Sequence, residues 1–157
     1  MFFAPPDARA ELAAWLPAET LVAQQGEDLG ERMDAAFAGA FARGATRVVV
    51  IGTDVPRLCR AHLLEALTLL DTCPIVLGPA TDGGYYLIAL RQRQPELFRS
   101  VEWGTPGVCA ATLARTEAMR LPVHVLLALR DVDTLADLDA EWPPPSEVDG
   151  GPFRRGP

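Results

Sequence analysis

Aspartates follow predicted β-strands at three places in this sequence, and their carboxylates are its clearest candidates for chemistry. Asp54 comes just after the apolar run 48–51, within the string RVVVIGTDVP. Asp131 and Asp133 follow a strand predicted at 121–127, and their i, i+2 spacing points both carboxylates the same way on an extended backbone. Because carboxylate oxygens are preferred ligands of Mg²⁺ and Mn²⁺, these three residues form a candidate metal site.

Each of these aspartates also has a purely structural alternative, which the residues alone leave open. Asp54 stands close before a proline and would serve equally as a turn or helix-capping residue. Thr134 and Asp137 form a T-x-x-D pair typical of a helix cap. Capping is therefore favoured for Asp137, while metal binding and capping stay balanced for Asp131 and Asp133.

The string GPATDGGYYLIAL carries the third aspartate group, formed by Asp82, Gly83 and Gly84. Consecutive glycines let a backbone turn sharply or let a ligand approach closely, and Asp82 is a candidate catalytic carboxylate. The alternative is an ordinary hairpin turn, since D-G and G-G are common turn dipeptides. Tyr85 follows directly, at the start of a predicted strand.

A fourth group surrounds the start of the clearest predicted helix. Gly30 stands in its first turn, where glycine is unfavourable relative to alanine, so something is expected to pack closely there. Arg32 lies near the helix N-terminus, where the positive end of the helix dipole disfavours its charge. The same place is well suited to binding a phosphate, which Arg32 could contact. Gln25 and Gly26 precede the helix in a polar turn. Further along, Trp103 either stacks on a ligand or fills the core.

Strands and helices alternate along the chain, and this order decides where the candidate residues lie. Strands are predicted at 1–4, 20–24, 47–51, 74–77, 85–90 and 121–127, with helices at 7–16, 28–44, 57–70, 105–119 and 135–141. The alternation predicts a single α/β domain over residues 1–142, a three-layer α/β/α sandwich around a mostly parallel mixed sheet. The Pro- and Gly-rich segment 143–157 is predicted to be disordered.

Two local expectations follow from these boundaries. The β-branched run 48–51 is closed by glycine, which predicts a strand buried on both faces, as in a parallel sheet. Thr105 is the predicted cap of the helix at 105–119, with Pro106 at its first position.

Charge and cysteine usage exclude several classes of protein. The net charge is −7, from 21 acidic and 14 basic residues, which argues against nucleic-acid or membrane partners. All the basic residues are arginine, so no lysine is present for a Schiff base or a phosphate contact. Three widely spaced cysteines favour free thiols in a reducing compartment, and we expect a cytoplasmic protein.

Five strings in order, QGEDLGERMDAAF, VVVIGTDVP, GPATDGGYYLIAL, EWGTPGV and RDVDTLADL, resemble the bacterial DUF2064 proteins. These are described as glycosyltransferases with the nucleotide-diphospho-sugar transferase (GT-A-like) fold. The resemblance covers roughly Gln25 to Leu138. It implies transfer of a sugar from a nucleotide-sugar donor to a small-molecule acceptor, with Mg²⁺ or Mn²⁺ as cofactor.

The resemblance also implies roles for the candidate residues. Asp54 corresponds to the metal-binding aspartate of the family's G-[ST]-D-x-P string, and Asp131 and Asp133 match a second metal contact. The resemblance assigns the remaining candidates to the donor and acceptor: Asp82, Gly83, Gly84 and Tyr85 to the acceptor or sugar-phosphate side, and Gln25, Gly26, Gly30, Arg32 and Trp103 to the nucleotide or sugar.

The start of the sequence departs from the family pattern. Family members begin with a strand, a basic loop and a helix that contact the nucleotide, whereas MFFAPPDA resembles the end of their second strand. We therefore expect this nucleotide-contacting segment to be missing, which leaves activity open and exposes a sheet edge that favours a homodimer. The alternatives are a guanylyltransferase-like nucleotidyltransferase acting on a small phosphorylated acceptor, and a degenerate, non-catalytic homologue.

Overall fold

The computed structural model describes residues 1–132 together with Thr134 and Asp137, and its strands form two sheets. The smaller sheet pairs β1 (Phe2–Phe3) in parallel with β2 (Val22–Ala23). The larger sheet contains β3 (Val48–Ile51), β4 (Ile75–Pro79), β5 (Tyr85–Leu90) and β6 (Val123–Val125). Its strand order is β3-β5-β4-β6.

Strand direction in the larger sheet brings three strand ends to one edge. β5 is antiparallel to both β3 and β4, and β6 is parallel to β4. It follows that β3, β4 and β6 run the same way and end at the same edge, which we call the carboxyl edge. The predicted mixed sheet is confirmed, with β5 as its reversed strand.

Among residues 1–132, four α-helices accompany these strands: α1 (Arg9–Trp15), α2 (Leu29–Ala42), α3 (Arg60–Leu69) and α4 (Val108–Ala118). Short 3₁₀ turns occur at Pro6–Ala8 and Pro95–Leu97. None of the helices in the described part of the chain is long and apolar enough to cross a membrane. Asp28 caps the start of α2, since its carboxylate accepts the Glu31 amide at 2.8 Å.

The core lies on both faces of the larger sheet, because successive residues of β4 and β5 point to opposite faces. One cluster joins Ile75, Leu77, Ile88 and Leu90 to Met33 and Phe37 of α2. The other joins Val76, Leu87 and Ala89 to Ala66 of α3 and to Leu70, and it includes Tyr86 because an irregularity in the pairing of β4 with β5 turns that residue to the same side as Leu87. Helices therefore cover the sheet on both sides, which is the predicted three-layer α/β/α arrangement.

β3 is not the fully buried strand that its sequence predicts. It lies at the edge of the four-stranded sheet and pairs with the antiparallel β5, not with a parallel neighbour. Val48 to Val50 are only half-buried, and Ile51 is 41% exposed. The reason is that β5 returns between β3 and β4, so β4 and β5 take the buried central positions.

The predicted start of the helix at 105–119 is also wrong. α4 begins at Val108 after Gly107, and no side chain caps it. The Thr105 hydroxyl instead donates to the Glu102 carbonyl at 2.8 Å. The disordered tail predicted at 143–157 and most of the helix predicted at 135–141 lie outside the described residues.

Candidate functional site at the carboxyl edge

The carboxyl edge is built from three segments that carry the predicted aspartates. Residues 52–54 follow β3, residues 80–84 connect β4 to β5, and residues 126–132 follow β6. Because β3, β4 and β6 share one direction, all three segments leave the sheet on the same side. This is the side on which open α/β sheets bind their ligands.

Backbone hydrogen bonds tie these segments together. The Thr81 amide donates to the Leu129 carbonyl at 3.0 Å, and the Leu129 amide donates to the Pro79 carbonyl at 3.1 Å. The Val132 amide then donates to the Asp54 carbonyl at 2.9 Å. The 126–132 segment therefore crosses the carboxyl edge from β6 to the loop after β3, where the backbone of the residue after Asp131 pairs with that of Asp54.

The Asp54 side chain is exposed and lies back over Gly52. A Cβ built on Gly52 would be 2.7 Å from the Asp54 Oδ1, a contact that rotation of the exposed carboxylate would relieve. Within the described part of the chain, the Asp54 carboxylate makes no hydrogen bond or ion pair. Its oxygens are therefore not committed to capping and can accept a ligand.

Asp131 is half-buried and already interacts with other groups of the protein, whereas Asp133 lies outside the described residues. The predicted pairing of Thr134 with Asp137 is confirmed. The Asp137 amide donates to Thr134 Oγ1 at 3.2 Å, and the Thr134 amide donates to Asp137 Oδ2 at 3.0 Å. The Thr134 hydroxyl, with nearby Arg130, holds the pKa of the Asp137 carboxyl below its usual value.

The donor set of the carboxyl edge decides which kind of metal site it fits. Among residues 1–132, Thr134 and Asp137, no three His, Cys, Asp or Glu side chains converge to hold a metal ion. A closed protein cage is therefore not formed by these residues. Mg²⁺ is commonly held by one or two carboxylates together with substrate phosphates and water. Asp54 and Asp131 fit that second arrangement.

The hairpin interpretation of the DGG string is confirmed. The Gly84 amide donates to Asp82 Oδ1 at 2.8 Å, which closes a turn between β4 and β5. Gly83 has a φ of +94° and lies against the backbone of Pro106, with its carbonyl accepting the Cys109 amide at 2.9 Å. The glycines thus let this turn dock on the start of α4, while Asp82 stays exposed.

At the start of α2, Arg32 bonds to the polar turn before the helix. Its Nε donates to the Gly26 carbonyl at 3.2 Å, and its Nη2 donates to the Glu27 carbonyl at 3.4 Å. Gly26 has a φ of +129°, which allows the turn to fold over the first helical residues. Gln25 is exposed. Contact of these residues with a nucleotide or sugar stays a prediction.

The close neighbour expected at Gly30 is Trp103. A Cβ on Gly30 would be 2.7 Å from the Trp103 Nε1 and 2.6 Å from the Phe98 carbonyl oxygen. The Trp103 ring also meets the Tyr85 ring edge-to-face at 6.4 Å, and its Nε1 is buried without a described hydrogen-bond partner. Burial raises the pKa of the Tyr85 phenol. This packing explains the glycine, and ligand binding by these residues stays a prediction.

The carboxyl edge is an open surface of this chain. Two concavities of the described part lie away from residues 52–54, 80–84 and 126–132. One, of about 590 Å³, is lined by Arg47, Asp71 and Arg91, and the other, of about 400 Å³, by Gly30, Asp34 and Ser100 among others. Arg47 precedes β3 and pairs with Asp71 at 2.9 Å, so the first concavity is at the opposite end of that strand from Asp54.

Sequence reasoning missed two residues that hold the site together, Gly78 and Tyr86. The Tyr86 carbonyl accepts the Gly52 amide at 2.9 Å, and its phenol donates to the Leu127 carbonyl at 3.1 Å. A Cβ on Gly78 would be 2.5 Å from the Tyr86 ring. The sequence carried no signal for Tyr86, because an irregularity in the pairing of β4 with β5 turns its ring to the face opposite the one that strand alternation predicts.

Comparison with known proteins agrees with this architecture. A solved structure of a putative nucleotide-diphospho-sugar transferase from Desulfovibrio desulfuricans G20 is 39% identical to the chain and shares its fold, with a TM-score of 0.80. The match covers 85% of this chain and 59% of that one, so the chain spans less than two thirds of that relative. No curated protein matches the chain. Residues 1–105, more than half of the sequence, match the model of a protein family conserved in bacteria and described as uncharacterized, and the chain therefore belongs to that family, DUF2064.

Proposed function

We propose that the chain provides the metal- and diphosphate-binding edge of a glycosyltransferase that uses a nucleotide-diphospho-sugar donor. The observation that carries this proposal is the 2.9 Å hydrogen bond from the Val132 amide to the Asp54 carbonyl, because it joins two aspartate-bearing segments at one point. The similarity to a nucleotide-diphospho-sugar transferase supports the class of donor.

Asp54 and Asp131 are the residues that we assign to a divalent metal ion, with Asp133 as a further candidate. Mg²⁺ or Mn²⁺ bound there would neutralise negative charge on the diphosphate leaving group. The chain itself has a net charge of −7 and no lysine, so it repels a free diphosphate. Carboxylates that recruit a cation give such a surface a way to bind an anionic donor.

Asp82 is assigned to the acceptor. It is exposed, and the Gly84 amide fixes its Oδ1 at 2.8 Å, which restricts the orientation of the carboxylate. In the proposed reaction the acceptor oxygen forms a bond to the anomeric carbon while the bond from that carbon to the diphosphate breaks. The carboxylate of Asp82 accepts the proton of the acceptor hydroxyl.

Replacing Asp54 with asparagine is expected to weaken Mn²⁺-dependent binding of a nucleoside diphosphate by at least about tenfold. Mutating a residue that only hydrogen-bonds to a metal ligand already lowers metal affinity by about this much, and Asp54 is assigned as a ligand itself. The substitution keeps the shape of the side chain but removes its charge. Isothermal titration of UDP, GDP, ADP and dTDP, each with and without Mn²⁺, measures the effect on the nucleotide that the wild-type chain binds.

Asp71→Asn is the matched control for this substitution. It removes the same charge from an exposed aspartate that pairs with Arg47 at the opposite end of β3. Binding should be unchanged in this variant, because exposed ion pairs contribute little and Asp71 is remote from the carboxyl edge. Equal binding by wild type and Asp54→Asn, or binding that needs no metal, would contradict the proposed function.

A further inference from the structure

Tyr86 is the point where three parts of the carboxyl edge meet. It lies in β5 and is 2% exposed. Its backbone carbonyl accepts the Gly52 amide at 2.9 Å, and its ring lies across Gly78 of β4. Its phenol donates to the Leu127 carbonyl at 3.1 Å. One buried residue thus contacts the loop after β3, the strand β4 and the 126–132 segment.

The 126–132 segment has little side-chain packing of its own in its first half. Leu126 is buried, at 7% exposure, but Leu127 is 85% exposed and Ala128 is exposed as well. Backbone hydrogen bonds at Leu126 and Leu129 attach the segment to β4 on either side of this exposed stretch. Between these two attachments, the phenol of Tyr86 donates a hydrogen bond to the Leu127 carbonyl.

We propose that Tyr86 is a positioning residue, whose phenol holds the 126–132 segment in the path that sets Asp131 beside Asp54. This inference rests on the proposed function, because the two carboxylates matter together only if they share a ligand. Tyr86 does not touch that ligand itself, since it is buried beneath Gly78. Its effect passes through the Leu127 carbonyl to the Val132 amide and the Asp54 carbonyl.

The hydroxyl, and not the ring, is the part of Tyr86 to which we assign this role. The ring fills the core between Gly78 and the α3 side of the sheet, where phenylalanine would pack equally well. The hydroxyl is the group that hydrogen-bonds to the 126–132 segment. Burial, and then the negative charge of Glu65, raise the pKa of the phenol, so the group remains a protonated donor near neutral pH.

The test is Tyr86→Phe in the whole chain, with Thr116→Val as its matched control. Thr116 is 2% exposed, and its hydroxyl donates to the Leu113 carbonyl at 2.7 Å within α4, so the control also removes one buried hydroxyl that bonds to a backbone carbonyl. Two measurements are compared in wild type and both variants. One is the exchange rate of the Leu129 and Val132 amides, and the other is the affinity for Mn²⁺ by electron paramagnetic resonance.

In Tyr86→Phe we expect both amides to exchange faster and Mn²⁺ to bind about threefold to tenfold more weakly, the loss that corresponds to one hydrogen bond. In Thr116→Val we expect neither change, even if stability falls by the same amount. Unchanged exchange in Tyr86→Phe would overturn the inference. The inference would also fall if Tyr86→Phe kept the wild-type affinity for Mn²⁺ while Asp54→Asn lost it. In that case the metal site, and with it the proposed function, would stand. Wild-type protein that binds no Mn²⁺ either alone or together with a nucleoside diphosphate would overturn both the inference and the proposed function.

Discussion

Replacing Gly83 with alanine should lower the free energy of unfolding by about 3 kcal/mol, from two separate costs. Gly83 has a φ of +94°, a conformation that costs a non-glycine residue about 1–2 kcal/mol. The new methyl group would also overlap the backbone of Pro106, whose Cα would be 2.7 Å away. Because the opposing atoms are backbone, the turn must shift off the start of α4. Chemical denaturation of both proteins measures the loss.

Gly44→Ala separates the two costs. Gly44 follows α2 with a φ of +89°, close to that of Gly83, but a Cβ there meets nothing within 4 Å. This control should therefore cost only about 1 kcal/mol, the conformational part alone. Equal losses in the two variants would show that contact with Pro106 contributes nothing and would contradict the docking of the turn on α4.

Replacing Gly78 with alanine should also cost about 3 kcal/mol, for a purely steric reason. The added methyl would be 2.5 Å from Cζ of Tyr86 and within 2.9 Å of two further ring atoms. Tyr86 is 2% exposed and its phenol is bonded to Leu127, so the ring has no free space to enter. We expect a lower denaturation midpoint together with faster exchange of the Leu129 amide.

A double-mutant cycle with Tyr86→Ala isolates this contact. When the ring is absent, Gly78→Ala adds a methyl group to a cavity, so its cost should fall below about 1 kcal/mol. The interaction energy of the cycle is then about 2 kcal/mol. Additive losses would mean that the ring of Tyr86 does not limit residue 78, and the packing beneath the carboxyl edge described above would be wrong.

The positions of most helices and strands were predictable because local signals and the fold agree. The helix after Asp28 has a capping aspartate, an apolar face at helical spacing and a terminal glycine, and all of these are used in α2. The apolar run 48–51 is likewise a strand. Its place in the sheet was not predictable from that run, because burial of a strand depends on which neighbours it receives.

The neighbours of β3 follow from the connection between β4 and β5. Residues 80–84 are too few for a crossover to a parallel strand, so β5 must return antiparallel beside β4. Nothing in the run 48–51 encodes that β5 pairs with β3 on its other side. The order of strands in the sheet is decided by tertiary packing, and the partial exposure of β3 follows from that order.

In the candidate site, too, local sequence predicts some features while others depend on tertiary packing. The sequence predicts aspartates after strands, and the shared direction of β3, β4 and β6 explains why they meet at one edge. The sequence does not predict that the 126–132 segment crosses that edge to reach Asp54, because the crossing depends on hydrogen bonds between backbone groups. Side-chain type carries no information on such contacts. The sequence predicts that some residue packs closely against Gly30, but it does not identify that residue as Trp103.

The most direct test of the metal site is paramagnetic broadening by Mn²⁺ in the amide spectrum of the isotopically labelled chain. Our account predicts that substoichiometric Mn²⁺ selectively broadens the amide signals of Thr53, Asp54, Asp131 and Val132, because Asp54 and Asp131 would hold the ion between the joined segments. Broadening centred instead on the acidic residues of α2, Glu31 and Asp34, or spread evenly over the chain, would contradict a metal site at the carboxyl edge.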